Sequence, residues 1–254
     1  CTGYLFSNGT SYNIKLTQEL TRNSLDAPIY PTSGSNIRLT IQGTPPYSLF
    51  NNINYRIATP EQRYHFVEYY KFKYDAQWFT RLTGKLVLMS QVRFGFLGQY
   101  NSEVGPSPFE RFKLGGDGMQ SYQFLQGSEI IGLRGYQNFS IIPEGTNYTA
   151  DTNPGSAIYN KYTMEIRYPV IQGQSATIFM LGFAEGGNVW NSFNKFDPFN
   201  VKRSVGVGAR IFLPIFGLLG LDYGYGFDKI PGIPDANRGQ FHFSISQSLN
   251  GGFN

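Results

Sequence analysis

The chain has 254 residues, a formal net charge of +4, and a composition that is 41% hydrophobic and 17% aromatic but only 15% charged. No apolar run reaches roughly 18 residues, so a transmembrane helix is excluded; Lys and Arg are scattered singly, so the electrostatic footprint of a nucleic-acid partner is missing. Cys1 is the only cysteine, which leaves neither an internal disulfide nor a cysteine metal cluster.

Alternation of apolar and polar residues at period two marks nine strands. The first carries Tyr12, Ile14 and Leu16 against Asn13, Lys15 and Thr17, and the second Ile37, Leu39 and Ile41 against Arg38, Thr40 and Gln42. The third runs from Tyr64 through Phe66, Tyr70, Phe72 and Tyr74, opposite His65, Lys71, Lys73 and Asp75. The fourth sets Leu86, Leu88, Val92, Phe94 and Phe96 opposite Gln91 and Arg93. After a long interruption, Tyr162, Met164, Ile166 and Tyr168 alternate with Lys161, Thr163, Glu165 and Arg167. Residues 176–190 form the least regular strand. The last three carry Val205, Val207, Ala209, Ile211 and Leu213; Leu219, Leu221, Tyr223, Tyr225 and Phe227; and Phe241, Phe243, Ile245 and Leu249.

In these strands the second face is Gly, Ser, Thr or charged, which a sandwich core would not tolerate on strand after strand but a water-filled lumen would. The expected fold is therefore all-β, a transmembrane antiparallel β-barrel with its apolar face outward, and the mild mean hydropathy of −0.29 suits it. Connections alternate as well: residues 81–84, 172–174 and 215–217 are tight, whereas 47–61, 101–158, 191–203 and 228–238 are long. Short periplasmic turns and long outer loops give this pattern, with residues 23–33 as an exception. Single-chain bacterial barrels normally have an even strand number, and 16 strands of about 10 residues or more with their loops need well over roughly 300 residues. Residues 1–254 thus read as the C-terminal part, roughly nine strands, of a probable 16-stranded barrel; a complete small barrel of about eight to ten strands is the alternative. Cys1 is then a fragment start or a lipidated N-terminus.

Four separated segments carry a resemblance. Arg22, Asp26, Pro28, Tyr30, Pro31 and Gly34 are spaced as in a proline-stiffened turn between two strands. Phe109-Glu110-Arg111-Phe112-Lys113-Leu114-Gly115-Gly116 is followed in the same loop by Leu133-Arg134-Gly135-Tyr136. Then come Phe183, Glu185, Gly187, Val189 and Trp190, and finally Gly206-Val207-Gly208-Ala209-Arg210 with Leu221-Asp222-Tyr223. In this order they resemble the BamA-type outer-membrane assembly factors, with Glu185 where that family has Asp and an insertion over 117–132 similar to Bacteroidota members. TamA-like proteins and two-partner secretion pores share the Arg-Gly-aromatic loop; the Phe-Glu-Arg-Phe form favours the BamA branch.

The resemblance implies that the 101–158 loop is extracellular and folds back into the lumen, where Leu133, Arg134, Gly135 and Tyr136 form a lock. Glu165, Glu185 and Asp222 are then the partners of Arg134. Glu165 lies on the expected lumen face, whereas Glu185 shares parity with Phe179, Leu181 and Phe183 and needs a bulge or a closing rim to turn inward. Phe109, Phe112, Gly115 and Gly116 belong to the same loop motif. The terminal strand of Phe241, Phe243, Ile245 and Leu249 resembles a β-signal that closes a weak lateral seam.

The implied function is folding and insertion of β-barrel proteins into the bacterial outer membrane, by strand augmentation through that seam and without nucleotide. Its partners would be unfolded outer-membrane proteins, other subunits of an assembly complex, the lipid bilayer and lipopolysaccharide. A polypeptide-secretion pore or a passive diffusion porin is the alternative. No enzyme, cofactor or metal is expected: Gly115-Gly116-Asp117-Gly118 precedes no helix pattern, and no His/Cys cluster has ligand spacing. An arginine between Glu165 and Glu185 would hold both ionised, removing a general acid. His242 beside Ser244 is what a polar lumen strand displays, and it reads as a structural histidine.

Overall fold

A computed structural model describes residues 10–119, 127–173, 175–215 and 217–246. Nine strands form one antiparallel sheet: β1 (Leu16–Asn23), β2 (Gly34–Gly43), β3 (Tyr70–Arg81), β4 (Val87–Gly98), β7 (Ile158–Gln172), β8 (Thr177–Trp190), β9 (Lys202–Leu213), β10 (Gly217–Gly226) and β11 (Gln240–Ser246). They neighbour one another in chain order, each pair joined by an antiparallel ladder. Between β4 and β7 lie two short strands, β5 (Phe112–Leu114) and β6 (Glu129–Ile131), which pair in parallel. The one α-helix among the described residues, α1 (Pro60–Arg63), is a single turn.

Side chains alternate as a two-faced sheet demands. On β7, Met164, Ile166 and Tyr168 are exposed while Thr163 and Glu165 are buried; on β10, Leu221, Tyr223 and Tyr225 are exposed and Asp222 is buried. Lys71 of β3, Glu165 of β7, Glu185 of β8, Asp222 of β10 and His242 of β11 all meet the single loop that joins β4 to β7. One loop can reach strands so far apart only if the sheet curls around it. The result is a partial barrel, open among the described residues between edges β1 and β11, with the loop on its concave face. No helix among the described residues is long and apolar enough to cross a membrane, a test that strands do not enter.

Two expected boundaries move. The first strand was expected around Tyr12, Ile14 and Leu16 but runs over Leu16–Asn23; Tyr12 makes only an isolated parallel bridge to Phe66. Asn13 and Lys15 are drawn away instead by Glu110, at 3.1 and 3.0 Å. The third strand starts at Tyr70 and not Tyr64, because the residues between bond elsewhere, Val67 to the Tyr12 carbonyl and Tyr69 to the Thr44 hydroxyl, after a helical turn in which Thr59 accepts from the Gln62 amide, the Gln62 side chain accepts in return from the Thr59 amide, and Pro60 starts the helix. That arrangement is a capping box, with proline where its missing N–H costs nothing.

The interior is not polar throughout. At the end of the short turns Tyr30, Phe79, Val87, Met89, Phe179, Leu181 and Phe183 pack into one apolar cluster. The ring of Tyr30, carried by the 24–33 turn, sits 5.1 Å from that of Phe179, and its hydroxyl donates to the Arg167 carbonyl at 3.1 Å. The long turn on the short side is thereby explained: it folds under the sheet and covers that mouth. At the other end the loop contributes Phe112, Leu114, Ile131, Leu133, Tyr136, Ile141 and Ile142 to a second cluster with Val67, Tyr69, Tyr159 and Val189.

Candidate functional site

The centre of the concave face is an ion cluster assembled on Arg134. Its Nη2 lies 2.7 Å from Glu165 Oε1 and 2.7 Å from Glu185 Oε1, its Nε 3.1 Å from Glu185 Oε1, and its Nη1 3.2 Å from Asp222 Oδ1. The Arg134 amide also donates to Glu185 Oε2 at 2.9 Å. A guanidinium supplies such a fan of donors from a rigid plane; an ammonium does not. Its flat side stacks on Phe183, 3.7 Å from the ring centroid. Burial works against the charge of Arg134, but the three carboxylates outweigh it and hold the guanidinium firmly protonated.

Further cations complete the balance. Lys161 lies 3.0 Å from Glu185, Arg167 2.6 Å from Glu165, and Arg210 2.9 Å from Asp222. All of these side chains are nearly closed off from solvent. Buried charges are tolerated only when paired and hydrogen-bonded, and four cations here meet three anions with Asp117 at the border of the same small cavity of about 80 Å³.

Glu185 turns inward without any bulge in β8. Phe179, Leu181, Phe183 and Glu185 share one face, and that face is the interior, while Met180 and Ala184 point outward. The ladder shifts on the other strand, between Pro169 and Ile171 of β7. The expectation of a bulge or rim came from taking aromatic residues as outward-facing; here they line the apolar end of the interior and brace two arginines.

The other loop residues have equally local roles. Gly135 has φ +87°, and a Cβ there would come within 2.9 Å of the Gly226 amide and of the Tyr225 carbonyl carbon. Gly224 is matched to it: its own Cβ would reach 2.7 Å from the Gly135 amide. The loop tip thus rests directly on the bare backbone of β10. Tyr136 donates from its hydroxyl to the Arg203 carbonyl at 2.7 Å, and Leu133 is fully buried beside it. At Gly116, φ +80°, a Cβ would land 1.5 Å from the Asn138 side-chain oxygen, while the Gly115 and Gly116 amides donate to the Ile131 and Leu133 carbonyls. Phe112 packs its ring 4.7 Å from Tyr159, and Phe109 lies against the same cluster.

Phe241, Phe243 and Ile245 of β11 are exposed on the outer face, with His242 and Ser244 buried between them. Leu249, expected to end that strand, lies outside the described residues.

A second anchor escaped the sequence reading. Lys71, buried on β3, donates to the Glu110 carbonyl at 2.9 Å and pairs with Glu129 at 2.9 Å, 4.5 Å from the Phe112 ring centroid. It therefore ties the outgoing and returning limbs of the loop to one strand. Burial raises the Glu129 carboxyl, but Lys71 and Lys73 outweigh it and hold it below its ordinary range. The available signal was alternation itself: Lys71 and Lys73 occupy successive interior positions and need anions. Gly224 and Gly226 were equally visible as interior glycines, but only the docked loop gives them a purpose.

A curled antiparallel sheet with an apolar outer face, whose concave side is filled by its own loop clamped through a buried arginine, defines a β-barrel membrane protein of the plugged type. The sequence matches the Omp85 superfamily domain over residues 5–249, and the chain belongs to that superfamily. It is thus an outer-membrane β-barrel protein. Among solved structures it resembles BamA from Haemophilus ducreyi lacking POTRA domains 1–3, with a TM-score of 0.62 and 18% identity. The match covers 90% of this chain and 41% of that one, so the chain spans about two fifths of the relative's length. None of the curated proteins matches it.

Proposed function

We propose that this chain is the C-terminal barrel portion of an insertase that folds β-barrel proteins into the outer membrane. The observation that supports this reading is the buried clamp on Arg134: three carboxylates from β7, β8 and β10 hold the loop in the interior, which argues against an open diffusion porin, while the Phe109-Glu110-Arg111-Phe112 form of the loop favours the assembly branch over the secretion pores that share the Arg-Gly-aromatic tip. Activity is then expected at a strand edge. An unpaired edge offers N–H and C=O groups that lipid cannot satisfy and an incoming strand can, so substrate hairpins add by β-augmentation and depart as a closed sheet. No nucleotide or catalytic group enters this scheme. The partners are unfolded outer-membrane proteins, further subunits of an assembly complex, the bilayer and lipopolysaccharide.

The test is reconstitution of the full-length parent protein in liposomes, following protease-resistant folding of an added unfolded outer-membrane barrel. Folding faster than in empty liposomes, and slowed by Arg134→Ala, is the expected result. No acceleration together with steady ion conductance would replace this reading by a secretion pore or porin.

A further inference from the structure

β11 is an edge of the sheet: it pairs with β10 over seven residues and has no second neighbour among the described strands. Its apolar residues Phe241, Phe243 and Ile245 point outward and give the interior no grip on it. His242 does. It is buried, stands opposite Asp222 in the β10–β11 register, and its Nε2 accepts the Gly135 amide proton at 2.9 Å. Gly135 is the residue next to Arg134, so one side chain of the edge strand touches the tip of the clamped loop. The Gly135 amide lies close against the main chain of β10 at Gly224, and a buried amide left unpaired is costly.

We infer that His242 is a latch joining the lumen loop to the edge strand, so that β11 cannot leave β10 without freeing the Gly135 amide, and a loosened loop loosens β11. Coupling of this kind is reciprocal. His242 is a positioning residue: it acts through Gly135 and touches no substrate. The inference rests on the insertase reading only for the reason β11 should need to move; the contact and its consequences for the strand do not depend on it.

The experiment is amide hydrogen exchange on the full-length parent protein in liposomes, comparing wild type with His242→Leu and His242→Gln. Leucine fills space without an acceptor, whereas the glutamine oxygen reaches about as far as Nε2. H242L is expected to speed exchange in residues 133–137 and in β11 by up to about tenfold, the weight of one net hydrogen bond, and H242Q to restore wild-type protection. Unchanged exchange in H242L, or equal loss in H242Q, would overturn the latch. Should H242L fail to fold, Arg134→Ala decides: a larger rise in exchange over wild type in β11 than in β9 supports the coupling, and an equal rise in the two refutes it. Insertion activity is not read in any arm, so the latch and the insertase can fail separately.

Discussion

At Arg134 the structure concentrates its electrostatic cost in one residue. Removing the guanidinium strips its bonds from Glu165, Glu185 and Asp222 together but leaves each with one cation, Arg167, Lys161 and Arg210, so the cost is at most the range of about 3–5 kcal/mol for a buried charge left unpaired. Arg134→Ala is therefore expected to lower the unfolding midpoint in denaturant titration by an amount equivalent to no more than that range. Arg134→Lys should recover only part of it, since a single ammonium cannot span three carboxylates on three strands. Gly135→Ala tests the same seat without altering charge: the added Cβ meets main-chain atoms of β10 that cannot yield, so its cost should rival that of Arg134→Ala. The site was legible through the resemblance of the Leu133-Arg134-Gly135-Tyr136 motif, since an arginine in a loop would by residue type alone read as exposed. The direction of Glu185 was hidden, since Phe179, Leu181 and Phe183 carry no mark that distinguishes an inward from an outward aromatic face.

Among the elements, the 24–33 turn is where local chemistry and global closure meet. The Asp26 carboxylate accepts from the Thr32 amide at 2.8 Å and from the Ser33 amide at 3.2 Å, and Arg81 reaches the Thr32 hydroxyl at 2.6 Å. Desolvation raises the Asp26 carboxyl, and the bonds from Thr32 and Ser33 together outweigh it, holding it at about 2 against an ordinary 3.8. The folded form is the stronger acid, so its contribution is complete above the ordinary value and disappears as pH falls through about 2. Exchange at the Thr32 and Ser33 amides, corrected for intrinsic rate, should stay slow down to about pH 3 in wild type and be fast throughout in Asp26→Asn. Strand existence was readable from period two, whereas starts were not: β1 and β3 begin later than alternation suggests because Glu110 draws Asn13 and Lys15 aside and residues 65–69 bond to Tyr12 and Thr44 in place of a ladder.

For the whole molecule, the loop between β4 and β7 is an interior that the chain brings to itself, anchored to β3 by Lys71 and to β7, β8 and β10 by Arg134. Below it, Tyr30 and the Phe79, Phe179 and Phe183 rings close the opposite mouth. The proline-stiffened turn motif contained Tyr30 but did not announce that second closure, since an apolar cluster inside an otherwise polar lumen exists only once three strands and a turn have met. The two closures are separate in composition, one ionic and one apolar, and share Phe183 as a boundary. In planar bilayers the full-length parent protein should accordingly conduct little. Tyr30→Ala alone removes a ring and a hydroxyl from the lower mouth, a change costing about 3–5 kcal/mol by analogy with other buried aromatic truncations, yet it leaves the ion clamp above it intact. Arg134→Ala alone frees the loop but leaves the lower mouth covered. Each single variant is expected to show brief openings, and the double variant a sustained conductance greater than the sum of the two. Two barriers in series predict that excess; a sum that is merely additive would mean that the current passes elsewhere than through the lumen these residues close.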